Sequence, residues 1–175
     1  MYLPQQCRTE DGYLVRQSLM KDVPYGFFTA AKKGCGFLAV YNAVRYFGLN
    51  HTEEDVHRYF HRSVFLGGLL GTTVFHVARG VHRFGLRVKG VRYRNLTGVD
   101  AGILWYHTGK TKHFIFLRRG EEEKFHYYNT SYAHQEMPFR DFYSNFVKHT
   151  PLLKLPIMLT LALGNKKLQT LLIDM

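Results

Sequence analysis

Lys33-Gly34-Cys35-Gly36-Phe37-Leu38-Ala39-Val40-Tyr41-Asn42-Ala43-Val44 marks an abrupt change of pattern in the chain. From Cys35 onward Phe37, Val40, Tyr41, Val44 and Phe47 recur at helical spacing and Gly48 follows as a stop. The period predicts a buried helix of about four turns that opens at Cys35. A thiol is a poor nucleophile until it loses its proton, and a helix N-terminus helps it to do so. Gly34 and Gly36 leave both sides of the thiol open. Glycine also permits a tight loop-to-helix entry in which the cysteine N–H points at a developing oxyanion. The competing reading is a core cysteine, because free cysteines are among the most buried residues.

Working outward, Thr52 ahead of Glu53-Glu54-Asp55 supplies a capping hydroxyl and an acidic first turn to a second helix carrying Val56, Tyr59 and Phe60. After the loop around Gly67, Gly68 and Gly71, Thr72 or Thr73 caps a third helix through Val74, Val77, Ala78 and Val81, ended by Gly85. The second half changes to period two or to continuous β-branched and aromatic runs. Leu86 to Tyr93, Gly102 to His107, His113 to Arg118 and Lys124 to Asn129 read as antiparallel strands, the last two forming a hairpin. Pro138 starts a helix with Phe139, Phe142, Tyr143 and Phe146, and Leu152 to Leu163 is expected as a last strand. Residues 1–33 hold Pro4, Gly12, Pro24 and Gly26 around pieces such as Gly12-Tyr13-Leu14-Val15, and read as loops with one short strand. The expectation is a single α+β domain over 1–175: a lead-in (1–33), a helical half (34–85) and a sheet half (86–163) with one inserted helix.

A thiolate needs an imidazole, and the chain has ten histidines. His113 opens the strand His113-Phe114-Ile115-Phe116-Leu117 directly after the polar turn Gly109-Lys110-Thr111-Lys112. That position anchors the residue in the sheet while exposing it to a cleft. His107, before the same turn, is the rival. A third group must fix the tautomer of the histidine. Asn129 ends the next strand, and hairpin pairing would set it beside His113. Taken alone, Asn129 is a turn residue at a strand end.

Gly34-Cys35-Gly36 with an apolar helix bearing Ala39, Tyr41 and Asn42, then a Gly-Thr-led helix, then His-Phe-Ile-Phe-Leu and a strand ending in Asn, resembles the papain-like cysteine peptidases. The likeness runs from about Tyr25 to Ser131 and is closest to the bacterial branch that includes bacteriocin-leader peptidase domains. The resemblance implies acyl transfer from a peptide or amide through a thioester, with Cys35 as nucleophile, His113 as base and then acid, and Asn129 as orienter. Such enzymes carry an oxyanion-binding glutamine about six residues before the cysteine, and Thr29 stands there. Gln17, Gln5 and Gln6 lie further upstream and would need a different loop path. Oxyanion binding is therefore assigned to the Cys35 N–H, with Thr29, Gln17 or the Lys33 ammonium as helpers. Loss of one donor costs on the order of 100-fold to 1000-fold in rate, which leaves open an inactive peptide-binding module of the same fold. Phe37, Trp105 and Tyr132 are candidates to line the cleft.

The rest of the chain narrows the classes. An apolar fraction of 46% with 14 Phe and 12 Tyr argues against disorder. With 24 Lys and Arg against 13 Asp and Glu, the net charge is +11, and such a surface attracts nucleic acid, anionic lipid or acidic peptide without choosing among them. The excess is spread over Lys32-Lys33, Arg79 to Arg94, Arg118-Arg119 and Lys166-Lys167. Nucleic-acid binding, with Cys35 merely buried, stays a third and unspecific reading. The two cysteines, Cys7 and Cys35, exclude a disulfide scaffold and a four-thiolate zinc site but not one disulfide. His57 and His61, four apart, lack a His-Glu-x-x-His frame, and solvated histidines are the reading there. The Gly67-to-Thr73 loop lacks a phosphate-loop lysine, and no metal or cofactor is called for. No secretory pattern opens the sequence, and Pro151 to Leu163, which contains Lys154, falls far short of the roughly 20 residues that span a bilayer. A reduced cytoplasmic setting is the expectation, and oligomeric state is not legible.

Overall fold

The computed structural model describes residues 3–69, 71–92, 96–108, 111–147 and 158–165. The lead-in is more structured than its pattern suggests. Pro24–Tyr25 (β1) and Phe28–Thr29 (β2) pair in a small antiparallel turn, and Ala30–Lys33 (α1) is one helical turn that runs into Cys35–Tyr46 (α2). The expected strand at Gly12 to Val15 is only an isolated bridge between Arg8 and Leu14. Pieces this short carry no detectable period.

Helix α2 is 12 residues long, slightly shorter than the four turns expected, and the chain turns left-handed at Gly48 (φ 62°) beyond its Phe47 cap. Glu53–Ser63 (α3) starts with the expected capping hydroxyl: Thr52 Oγ1 accepts from the Asp55 N–H and the Asp55 carboxylate accepts from the Thr52 N–H. Val74–Arg83 (α4) is capped by Thr73, whose Oγ1 accepts from the His76 N–H, which releases Thr72 for another task.

Then follow Leu86–Arg92 (β3), Ala101–His107 (β4), Lys112–Arg119 (β5), Lys124–Thr130 (β6), Ala133–Pro138 (β7), Phe139–Phe146 (α5) and Met158–Asn165 (β8). Six of the strands form one antiparallel sheet in the order β3-β8-β4-β5-β6-β7. Strand β7 has no counterpart in the pattern reading, because an edge strand of alternately exposed Ala-His-Gln-Glu-Met-Pro has little apolar signal. Residues 158–163 of the expected last strand lie in β8, whereas 152–157 and Tyr93 lie outside the described residues.

The sheet buries both faces, which explains the unbroken apolar run in β5. Phe114, Phe116, Tyr128, Ile103 and Leu161 pack with Phe37, Val40 and Val44 of α2 and with residues of α3 and α4. Ile115, Leu117, Tyr127, Leu104 and Tyr106 alternate onto the opposite face, where Phe142 of α5 covers them. The Phe142 ring stacks on Tyr127 at 4.2 Å and on Phe146 at 5.0 Å. Phe142→Ala is expected to lower unfolding free energy in urea by about 3–5 kcal/mol; a loss below about 1 kcal/mol would mean that α5 does not close this face. Among the described residues no helix is long and apolar enough to cross a membrane.

Candidate active site

Two glycines set the entry into α2, for a reason other than open space around the thiol. A Cβ at Gly34 would fall on the Ala30 backbone, and one at Gly36 would fall on the Thr72 side chain. Thr72 is therefore in close contact with the start of α2: its Oγ1 donates to the Lys33 carbonyl (3.2 Å) and shares a 2.5 Å hydrogen bond with Tyr25 Oη. This brace fixes the start of α2, and with it Cys35, against β5. Both cysteines are free, and Cys7 is fully buried, so no disulfide joins them.

His113, the second residue of β5, lines the same cavity as Cys35 and is coupled to its side chain. Its Nε2 lies 2.7 Å from the Asn129 main-chain oxygen. A carbonyl only accepts, so Nε2 carries the proton and Nδ1 is left for the sulfur. Burial pushes the Cys35 thiol up, but the His113 hydrogen bond and charge, with the Phe114 and Gly36 N–H groups, outweigh it and hold the thiol below its ordinary range. Burial pushes His113 down, but Cys35 and the Asn129 carbonyl overcome it and hold the imidazole above its ordinary value. Each group favours the charged form of the other. Tyr106, whose ring meets His113 edge-on at 6.0 Å, is kept neutral by burial, with the Cys35 charge adding to the effect.

Asn129 reaches His113 by a route that hairpin pairing does not supply. The β5–β6 register matches Phe116 with Tyr128 and Leu117 with Tyr127. Continued outward, it sets Ile115, not His113, opposite Asn129. The β6–β7 ladder slips between Tyr128 and Thr130, and Asn129 sits there in a left-handed conformation (φ 68°), which asparagine tolerates better than most residues. The bulge turns its carbonyl to His113. Its side chain faces the lead-in: Asn129 Oδ1 accepts from the Gln17 N–H (3.1 Å) and Nδ2 donates to Gln17 Oε1 (3.3 Å).

Gln17 thus arrives at the site from far upstream. Buried Asn42 of α2 clasps the lead-in, accepting from the Leu14 N–H at 2.7 Å and donating to the Leu14 carbonyl at 2.8 Å. Arg16 then turns left-handed (φ 51°), and Gln17 Nε2 donates to the Ala31 carbonyl at 3.1 Å. Neither the Asn42 clasp nor the Arg16 turn has a sequence period. The one available signal is Asn42 itself, a polar residue in the middle of an otherwise apolar helix. Thr29, at the position of the expected glutamine, precedes α1 and is not among the residues around the cavity, nor are Gln5 and Gln6.

Cys35, His113, Asn129 and Gln17 line one cavity of about 460 Å³, together with Tyr106 and the charged Arg16, Lys32 and Lys112. The three aromatics expected to line a cleft do not line it. Phe37 is fully buried in the core, Trp105 packs on that core beneath Lys112, and Tyr132 is 72% exposed against Phe146. His107 closes β4 opposite Lys112 and lies outside the lining. His57 is buried and His61 half-buried, and neither is merely solvated: His57 Nε2 meets the Pro24 carbonyl at 2.6 Å and His61 Nδ1 accepts from the Gly26 N–H at 3.2 Å, so both brace the β1–β2 turn. Among the described residues no cluster of three or more His, Cys, Asp or Glu is suited to a metal ion.

The chain shares its fold with a double-glycine motif protease. The likeness is to the crystal structure of that protease, from an AMS/PCAT transporter, in complex with the leader peptide. It covers 73% of this chain and 81% of that one, with a TM-score of 0.50 and 17% sequence identity. No protein-family model and no curated protein matches the sequence. At that identity the double-glycine motif protease speaks for the fold alone, and the chemistry must be argued from Cys35, His113 and their surroundings.

Proposed function

We propose that the protein is a papain-like cysteine peptidase, or an amide-processing acyl-transfer enzyme of that kind, related to the leader-processing branch. The observation that carries this reading is that Cys35 and His113 line one open cavity, where each stabilises the charge of the other. In the proposed reaction the Cys35 thiolate attacks a peptide carbonyl, forming the C–S bond. The Cys35 N–H and the second N–H of Gln17 Nε2 receive the oxyanion. The C–N bond breaks as the proton on His113 Nδ1 passes to the departing amine. Water then attacks the thioester, its proton goes to His113, and the carboxylic acid leaves as the thiolate returns.

Differential alkylation tests this. Iodoacetamide is expected to modify Cys35 at least about tenfold faster than Cys7 at pH 7, because burial raises the Cys7 thiol whereas His113 lowers that of Cys35. Equal and slow labelling of the two would sink the enzyme reading.

In this reading the orienter of His113 is the main-chain carbonyl of residue 129. Asn129→Gly keeps a backbone that turns left-handed easily and is expected to hold the Cys35 alkylation rate within about tenfold of wild type, whereas Asn129→Val, which resists that turn, is expected to lose more. If Asn129→Gly proved as damaging as Asn129→Val, the side-chain amide and not the carbonyl would be the orienter.

One observation favours a second reading, a peptide-binding module with little turnover. Gln17 Nε2 already donates to Ala31, and Gln17 Oε1 is taken by Asn129, so this amide is constrained as an oxyanion donor. Peptides that bind without being cleaved, by a protein whose Cys35 alkylates rapidly, would favour it.

A further inference from the structure

The charged residues around the Cys35 cavity are all cations. Arg16, Lys32 and Lys112 line it and are exposed, and no carboxylate does. Among the described residues no ion pair engages any of the three, whereas Arg8, Arg58, Arg119 and Lys124 elsewhere on the surface each have an acidic partner. The cations also come from two separate parts of the fold. Arg16 and Lys32 belong to segments tied together by the Gln17 Nε2 to Ala31 hydrogen bond, beside the start of α2. Lys112 directly precedes His113 in β5, with its ammonium 5.6 Å from the Trp105 ring centre.

Arg16 carries a second signal. It is a non-glycine residue held at φ 51°, ψ 49°. Such backbone strain persists only where the surroundings enforce it, and it gathers at sites of function. Here the enforcement comes from the Asn42 clasp on one side and from Gln17, bound to Asn129, on the other.

Given the peptidase reading, we propose that the substrate is an acidic peptide, with Asp or Glu side chains on both sides of the amide presented to Cys35. One would pair with Arg16 and Lys32 and the other with Lys112. Unpaired cations flanking an open cavity concentrate an acidic chain near the thiol, and the attraction weakens as salt screens it.

The test uses the full chain and a set of peptidyl acyloxymethyl ketones that differ only in flanking residues, Glu, Ala or Lys, with the rate of covalent labelling of Cys35 as readout. The Glu-flanked probe is expected to label about 5- to 10-fold faster than the Lys-flanked one in dilute buffer, with the ratio falling toward unity near 0.5 M salt. The triple charge reversal R16E/K32E/K112E is expected to invert the ratio, and K32E alone, at an exposed position of α1, to shrink it. Ratios cancel any general change in thiol reactivity. Equal labelling by all three probes, with Cys35 still alkylated faster than Cys7, would overturn the acidic substrate and leave the peptidase reading standing. No labelling by any probe, with iodoacetamide no longer favouring Cys35, would overturn both. Protection of Cys35 by a single-stranded oligonucleotide, but not by polyglutamate, would also overturn the peptide assignment.

Discussion

His113→Ala is expected to move the titration of Cys35 from below the ordinary thiol range to above it. With the imidazole gone, burial, the largest influence on this thiol, is left opposed only by the Phe114 and Gly36 N–H groups. The sign follows from what each state favours. The wild-type site stabilises the thiolate, so alkylation rises at a pH below that of a free thiol. The variant penalises the thiolate, so the rise moves to higher pH. For every pH unit that the titration moves upward, the thiolate present at neutral pH falls about tenfold, partly offset because a more basic thiolate is a better nucleophile. Alkylation at pH 7 should fall at least about tenfold, and peptide turnover, which also loses its proton donor, by on the order of 10³-fold or more. A pH profile for His113→Ala that overlays the wild type would show that the imidazole is not coupled to the thiol.

Cys35→Ala is the reciprocal experiment. Turnover should drop by at least about 10⁴-fold, since no other group in the cavity forms an acyl intermediate. The second readout is His113 itself. Burial pushes this imidazole down, and the Cys35 hydrogen bond and charge are the main forces that raise it, with the Asn129 carbonyl a lesser one. Without the sulfur, His113 should titrate below the ordinary imidazole value, visible in its ring NMR signals, where the wild-type group titrates above it. Coupling between two sites is reciprocal, so the change seen by the thiol and the change seen by the imidazole should be of comparable size and opposite direction. An unchanged His113 titration in Cys35→Ala would contradict the ion pair.

What is legible in the sequence is what period and capping report. The helix from Cys35, the capped α3 and α4 and the strands carrying His113 and Asn129 each have a strong local pattern, and all are present. The elements that escape such reading depend on distant partners. Gln17 joins the site through the Asn42 clasp and the left-handed Arg16, contacts between residues far apart in the chain. Strand order alone suggests the association of His113 with Asn129, but the actual register is offset, and the left-handed bulge makes the connection. The flanking glycines of Cys35 suggest an open thiol, whereas they admit Ala30 and Thr72 at close range. Nothing in the helical repeat around His57 and His61 announces that the β1–β2 turn folds over them.

The sheet order also dictates a sequence of events during synthesis. Strands β4 to β7 form a meander of neighbours, which can zip from local contacts as soon as they emerge. Strand β3 cannot join them, because its place beside β4 is filled by β8, which begins at Met158, 66 positions after β3 ends at Arg92. Until then the β4 edge is open, and β3 is held to the molecule chiefly through α4, which packs on it. A nascent chain stalled before residue 158 should therefore hold a formed β4–β7 meander beside a β3 that has no strand to pair with, a state in which exposed strand edges invite pairing with other chains.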